Sequence, residues 1–360
     1  MFTSALLILP KFIWLQIASF LDPCYSIKLH LVHRSFEHIF DEKYYQDKFL
    51  NHRKHRIAVV ISEKDKNEAN YWRHAFVTYH GRNHLHEMFD PIKDIHHNLV
   101  CRIYLTGGVY DESLYDYDNG MSFDLESKID YIIELIGSDP INNPTKICFN
   151  SNFIDWMDIT IPKYFSMTNI VFDNIKFSLG NYSLTNSILE NRDTNCILNG
   201  CIFIKSDLSI TNVNNYKITN CRFYDSIIYI RTYFNVVLCK YSTIVPCSPT
   251  IIINGSISDC MFDSELTYHI DFSGYTIEYL TSKITLTNNT LNSTTPNATL
   301  FRSDDQYFPL IKLTADTITN IERLFVNDMP QERICMDNSN VLINCGDNLI
   351  SYIKTRNDTG

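Results

Sequence analysis

Two hydrophobic periods divide the chain. From Pro10 to Phe20 the apolar residues Ile13, Ile17, Phe20 and Leu21 recur at helical spacing. Asp22-Pro23 then breaks the pattern as an N-cap followed by proline does. A second short helix is expected from Ser26, carrying Ile27, Leu31 and Val32, and a third holding Phe36, Ile39 and Phe40 ends near Asp41. Residues 51–98 are charged and His-rich, with one expected helix from Glu68 to Tyr79 whose Trp72, Ala75, Phe76 and Tyr79 share a face. From Val100 onward the period shifts from about 3.6 to about 2 residues. VCRIYL, YIIELIG and TKICF are short β-branched runs divided by Gly, Asp and Asn-rich turns, and runs of this kind continue to the C-terminus. The pattern predicts a helical module over 5–50, a linker subdomain over 51–98 and an all-β domain over 99–360.

The β part is a degenerate repeat. Its copies are CILNGCIF (Cys196 to Phe203), YKITNCRF (Tyr216 to Phe223), FNVVLCKY (Phe234 to Tyr241) and GSISDCMF (Gly255 to Phe262). NIVFDNIKF and KITLTNNTL are weaker relatives. Cys201, Cys221, Cys239 and Cys260 thus recur about every 20 residues, a period that fits coils of a parallel β-helix. Equivalent residues of successive coils then lie roughly 4.8 Å apart. The small apolar thiol suits an inward ladder, and the Phe two positions later faces the same way because strand side chains alternate. Asn220, Asp259 and Asn288 are expected to stack at the turn before the anchor position. A metal site is the alternative for the thiols, but the chain contains no Cys-x-x-Cys pair.

Composition narrows the function classes. A net charge of −10 argues against non-specific binding to nucleic acid or anionic membranes. Eleven cysteines, an odd number, favour a reducing compartment, the cytoplasm with the nucleus as a second place. FTSALLILPKFIWLQIASFL is apolar enough to resemble a signal or anchor. It lacks a basic leading region, is interrupted by Pro10 and Lys11, and precedes no small-residue cleavage pattern.

The segment LPKFIWLQIASFLDPCYSIKLHLVHRSFEHIF resembles the F-box. The matching positions are Leu9-Pro10, Ile13, Ile17, Leu21-Asp22-Pro23, Ile27 and Val32-x-Arg34-x-Phe36. One departure is Phe12, where the family commonly has an acidic residue. The resemblance implies a Skp-type adaptor as partner and, through it, a cullin. It makes Leu9, Pro10, Ile13, Ile17, Leu21, Pro23, Ile27, Val32 and Phe36 the adaptor-binding residues. IYLTGGVYDESL (with Gly108, Tyr110 and Glu112), IIELIGSD and TKICF are similar to the opening coils of right-handed parallel β-helix proteins of the pectin-lyase-like class. The fold class expected is therefore α+β multidomain, a small all-α F-box module followed by an all-β right-handed parallel β-helix solenoid. Animal F-box proteins with such a repeat domain are similar in plan. The Ile- and Asn-rich composition resembles F-box proteins of large DNA viruses or protists, which would place a viral copy in the host cytoplasm.

The expected function is substrate recognition for a Skp–cullin–F-box ubiquitin ligase, with the solenoid holding an unknown protein target. A carbohydrate-active enzyme and a passive scaffold are the alternatives. Enzyme chemistry needs carboxylates gathered on one face, and Asp207, Asp225 and Asp263 after successive strands are more simply read as turn residues. Asp116 to Glu126 departs from calcium-loop spacing, and His80, His84, His86, His96 and His97 have no Cys nearby to complete a zinc site. No cofactor or metal is expected. For the target, the residue after each anchor Cys points outward, which puts Arg222 and Lys240 on neighbouring coils with Tyr224, Tyr229, Arg231 and Tyr233. Tyr and Arg are enriched at interface hot spots.

Overall fold

The computed structural model describes residues 9–20, 36–51, 57–63, 85, 88–89, 99–111, 121–124, 132–139, 141–148, 156–162, 164–180, 194–211, 213, 215–231, 254–264, 266, 268–272, 283–303, 309–325 and 333–347. Within them the chain opens with helix α1 (Lys11–Ser19), followed by α2 (Phe36–Ile39) and α3 (Glu42–Asn51). Pro10 stands at the N-cap of α1, and the Asp41 carboxylate accepts from the backbone N–H of Tyr44, satisfying a free donor at the start of α3. The expected helices at Ser26 and at Glu68 to Tyr79 lie outside the described residues.

The rest is a parallel β-solenoid. Three sheets of 10, 9 and 8 strands run its length, and successive strands of the chain pass from one sheet to the next. One full coil shows the rule. Asn195–Asn199 lies in the first sheet, Ile202–Ile204 in the second and Asp207–Thr211 in the third, after which Asn215–Thr219 returns to the first. Each strand pairs in parallel with its counterpart one coil away. The exception is β1 (Ile57–Glu63), which pairs antiparallel with β2 (Leu99–Leu105) at the edge of the first sheet. The sheet therefore starts inside the stretch read as a linker, because the short run IAVVI is apolar on both faces and shows no alternation to mark it.

In several coils the corner leading into the second sheet turns on one left-handed residue, and the corner leading out does so at Asn174, Lys205 and Asp225. Asn169, Asn220, Asp259 and Asn288 make the first bend with φ of 58°, 54°, 56° and 57°, and Gly200 does the same at 65°. Asn, Asp and Gly occupy this left-handed region at little cost, so the turn residues follow from backbone sterics. Of the expected stack, the Asn288 side-chain amide donates to Asp259 Oδ1 at 2.7 Å, while that of Asn220 donates to Asn199 Oδ1 at 2.9 Å.

The core is a set of inward rows. Phe172, Phe203, Phe223 and Phe262 stack coil on coil, with ring centroids 5.0, 4.8 and 4.7 Å apart. Beside them Cys201, Cys221 and Cys260 occupy the inward corner position and are buried. Burial pushes the Cys221 thiol well up from its usual value. Further along, the same corner position carries Asn289, Asp316 and Asn340. There Cys260 N–H donates to Asn289 Oδ1 (3.0 Å), Asn289 N–H to Asp316 Oδ1 (2.8 Å) and Asp316 N–H to Asn340 Oδ1 (2.9 Å). The thiol ladder thus continues as an amide–carboxylate ladder that satisfies buried backbone donors.

One expected rung is absent. Arg222–Tyr224 pairs directly with Met261–Ser264, so the coil after Cys221 is that of Cys260. Cys239 lies in the connection between Ile228–Arg231 and Asn254–Ser258, outside the described residues. Its Cys-x-aromatic motif imitates a repeat, but hydrogen-bond register, not motif spacing, decides which strands are neighbours.

Candidate functional site

Two surfaces emerge, one on α1 and one on the second sheet. Helix α1 carries apolar side chains on both sides, with the polar Lys11 and Gln16 exposed among them. Trp14 and Ala18, one helical turn apart, point inward. Trp14 meets Phe36 edge-to-face at 4.9 Å, Phe36 stacks on Phe40 at 5.8 Å, and the Tyr44 hydroxyl donates to the Ala18 carbonyl at 3.4 Å. This aromatic cluster closes over Ala58 and Val60 of β1, while Ile57 and Val59 of the same strand face the solenoid interior. The helices and the first strand share one small core.

Among the described residues, the opposite side of α1 has no such cover. Leu9 is 40% exposed, Phe12 65%, Ile17 40% and Phe20 86%. Among the expected adaptor-binding residues, Leu9, Pro10 and Ile17 are exposed and Ile13 is half-buried. Phe36 is buried between Trp14 and Phe40, within the core that the helices share. Leu21, Pro23, Ile27 and Val32 lie outside the described residues. Phe12 and Phe20 are exposed here as well and are not among the expected adaptor-binding residues, although placing Trp14 and Ala18 on one side of a helical wheel puts both on the other.

On the solenoid, the expected target residues separate. Arg222 and Tyr224 point outward from the second sheet, where Arg222 is exposed and Tyr224 half-buried. Tyr229 sits around the corner on the third sheet, in register with Ser209 and Asp271. Arg231 ends that strand. Tyr233 and Lys240 lie outside the described residues. The expected adjacency of Arg222 and Lys240 is corrected by the register, which places Ile202 and Met261 on either side of Arg222.

The residues weighed for catalysis are also dispersed. Asp207 opens a third-sheet strand, Asp225 is a corner residue with φ of 47°, and Asp263 points outward from the second sheet. Among the described residues, no group of three or more His, Cys, Asp or Glu side chains is arranged to hold a metal ion. Nor is any described helix long and apolar enough to cross a membrane.

The fold and these two surfaces define a parallel β-solenoid with helices packed on its first strand. No protein-family model, curated protein or solved structure matches the chain.

Proposed function

We propose that this chain is the substrate-recognition subunit of a Skp–cullin–F-box ubiquitin ligase, whose helical module binds a Skp-type adaptor and whose solenoid holds the target. The observation that carries the reading is the second apolar face of α1. Covering Ala58 and Val60 uses the side bearing Trp14 and Ala18, and a mere end-cap has no need of Leu9, Phe12, Ile17 and Phe20 on the other. An apolar helix face left in water is the signature of a partner that completes it. The F-box-like order of Leu9-Pro10, Leu21-Asp22-Pro23 and Val32-x-Arg34-x-Phe36 supports an adaptor of the Skp type as that partner. The coil is taken as right-handed, the hand of nearly all parallel crossovers. A reducing compartment, cytoplasm or nucleus, would keep the buried thiols reduced.

The test is recovery of a purified Skp-type adaptor on the immobilised full-length chain. Wild type should retain it. The double variant Ile17→Asp, Phe20→Asp, altered only at exposed positions, should lose at least about 100-fold in affinity, the cost of burying two carboxylates in an apolar interface. Equal recovery by both proteins, or none by wild type, would overturn the reading.

A further inference from the structure

The outer face of the second sheet carries an uncompensated charge in an apolar setting. The register sets Ile202, Arg222 and Met261 in one row and Ile204, Tyr224 and Asp263 in the next. Ile202, Ile204, Tyr224 and Met261 are half-buried, so they present apolar surface around an exposed guanidinium. Among the described residues, neither Asp173 nor Asp263 forms an ion pair with it. Asp173 pairs with Lys146, and Asp263 accepts from the Asn292 side-chain amide at 2.9 Å. Asn320 in turn donates to Asn292 Oδ1 at 3.3 Å, which extends a polar border on that side. Among the described residues, the Arg222 guanidinium has no ion-pair or hydrogen-bond partner.

We propose that this face is a receptor for a short extended peptide segment bearing a carboxylate between apolar side chains. Charge selects the carboxylate: among the described residues Arg222 has no counter-ion, and a planar guanidinium binds a carboxylate through two parallel hydrogen bonds. The surroundings select the flanks, since an apolar centre with a polar border is the anatomy of a binding hot spot. Size selects a peptide over a second copy of the chain. Strands of this length on four adjacent coils cover roughly 200 Å², against about 800 Å² per partner in a standard protein interface. The inference rests on the proposed reading in one respect, that the solenoid is the target-binding half.

The test uses the full-length chain without any adaptor, and two pools of fluorescein-labelled hexapeptides read by anisotropy. One pool has Asp or Glu at a central position and the other Asn or Gln, both flanked by random Leu, Ile, Val, Phe and Tyr. Wild type should prefer the carboxylate pool by about tenfold or more, as one charge-assisted pair predicts. Arg222→Met, which keeps the aliphatic stem, should bind both pools alike. Arg222→Glu should favour a third pool centred on Lys. Equal binding of the first two pools by wild type, binding of neither, or an unchanged preference in Arg222→Met would each overturn the receptor face. Adaptor recovery on the same preparations reads the ligase proposal separately: lost discrimination with retained adaptor removes only the receptor, and the reverse removes only the adaptor.

Discussion

His269 is a buried imidazole set in an apolar core. Its ring meets Phe262 at 5.8 Å, and neither ring nitrogen has a hydrogen-bond partner. Burial lowers its pKa from 6.5 to about 4, with the charge of Asp263 pulling weakly the other way. The unfolded chain therefore binds a proton that the folded chain refuses. The stability this group contributes is complete above pH 6.5, falls as pH drops, and is fully lost below about 4. Asp316 acts in the opposite sense, because burial raises its pKa from 3.8 to about 6 and folding then gains as pH falls through that range. Comparing wild type with His269→Phe cancels Asp316 and isolates the imidazole. Urea unfolding at pH 7.5 and pH 5 should show wild type losing about 2 kcal/mol more than the variant. An identical pH dependence in the two proteins would mean that the imidazole is hydrated or paired in solution. Nothing in the sequence marked this residue beyond its isolation from the other histidines, since burial of a single side chain depends on which corner folds over it.

At the scale of elements, alternation and turn chemistry were the legible features. Inward Cys201 and Phe203, the bends at Asn220, Asp259 and Asn288, and the strand Lys283–Thr287 all follow from residue type at a period of about two. What motif spacing cannot carry is register, as Cys239 shows, or compensation between coils. Gly255 leaves room inside the first sheet that the Tyr216 ring fills: a Cβ on Gly255 would lie 2.0 Å from Tyr216 Cζ. No local pattern announces such a pairing, because the two residues meet only through the register of their strands. The change from thiols to Asn289, Asp316 and Asn340 was hidden for the same reason, since the position is conserved in space while its residue type is not. Thiol accessibility tests the ladder. Native protein treated with a maleimide and mapped by mass spectrometry should be modified quickly at exposed Cys335, and at Cys201, Cys221 and Cys260 only on unfolding. Labelling of those three at the rate of Cys335 would contradict a closed inward row.

The whole molecule is one structural argument with two outlets. The solenoid supplies a stack of coils whose outward rows are fixed by register, and the helices are held to its first strand by a shared aromatic core. That shared core was not legible in the sequence, where the helices and strands read as separate modules. It means that the free face of α1 keeps a defined orientation relative to the first coil rather than swinging on a linker. An adaptor bound there would stand in a fixed relation to a target held on the second sheet, which is the geometry a ligase needs to place its substrate. The most direct measurement is amide hydrogen exchange on the full-length chain with and without a saturating Skp-type adaptor. The account predicts slowed exchange within residues 9–20, with the strands from Asn195–Asn199 to Lys283–Thr287 unchanged. Unaltered exchange at α1, or protection confined to the sheets, would contradict it.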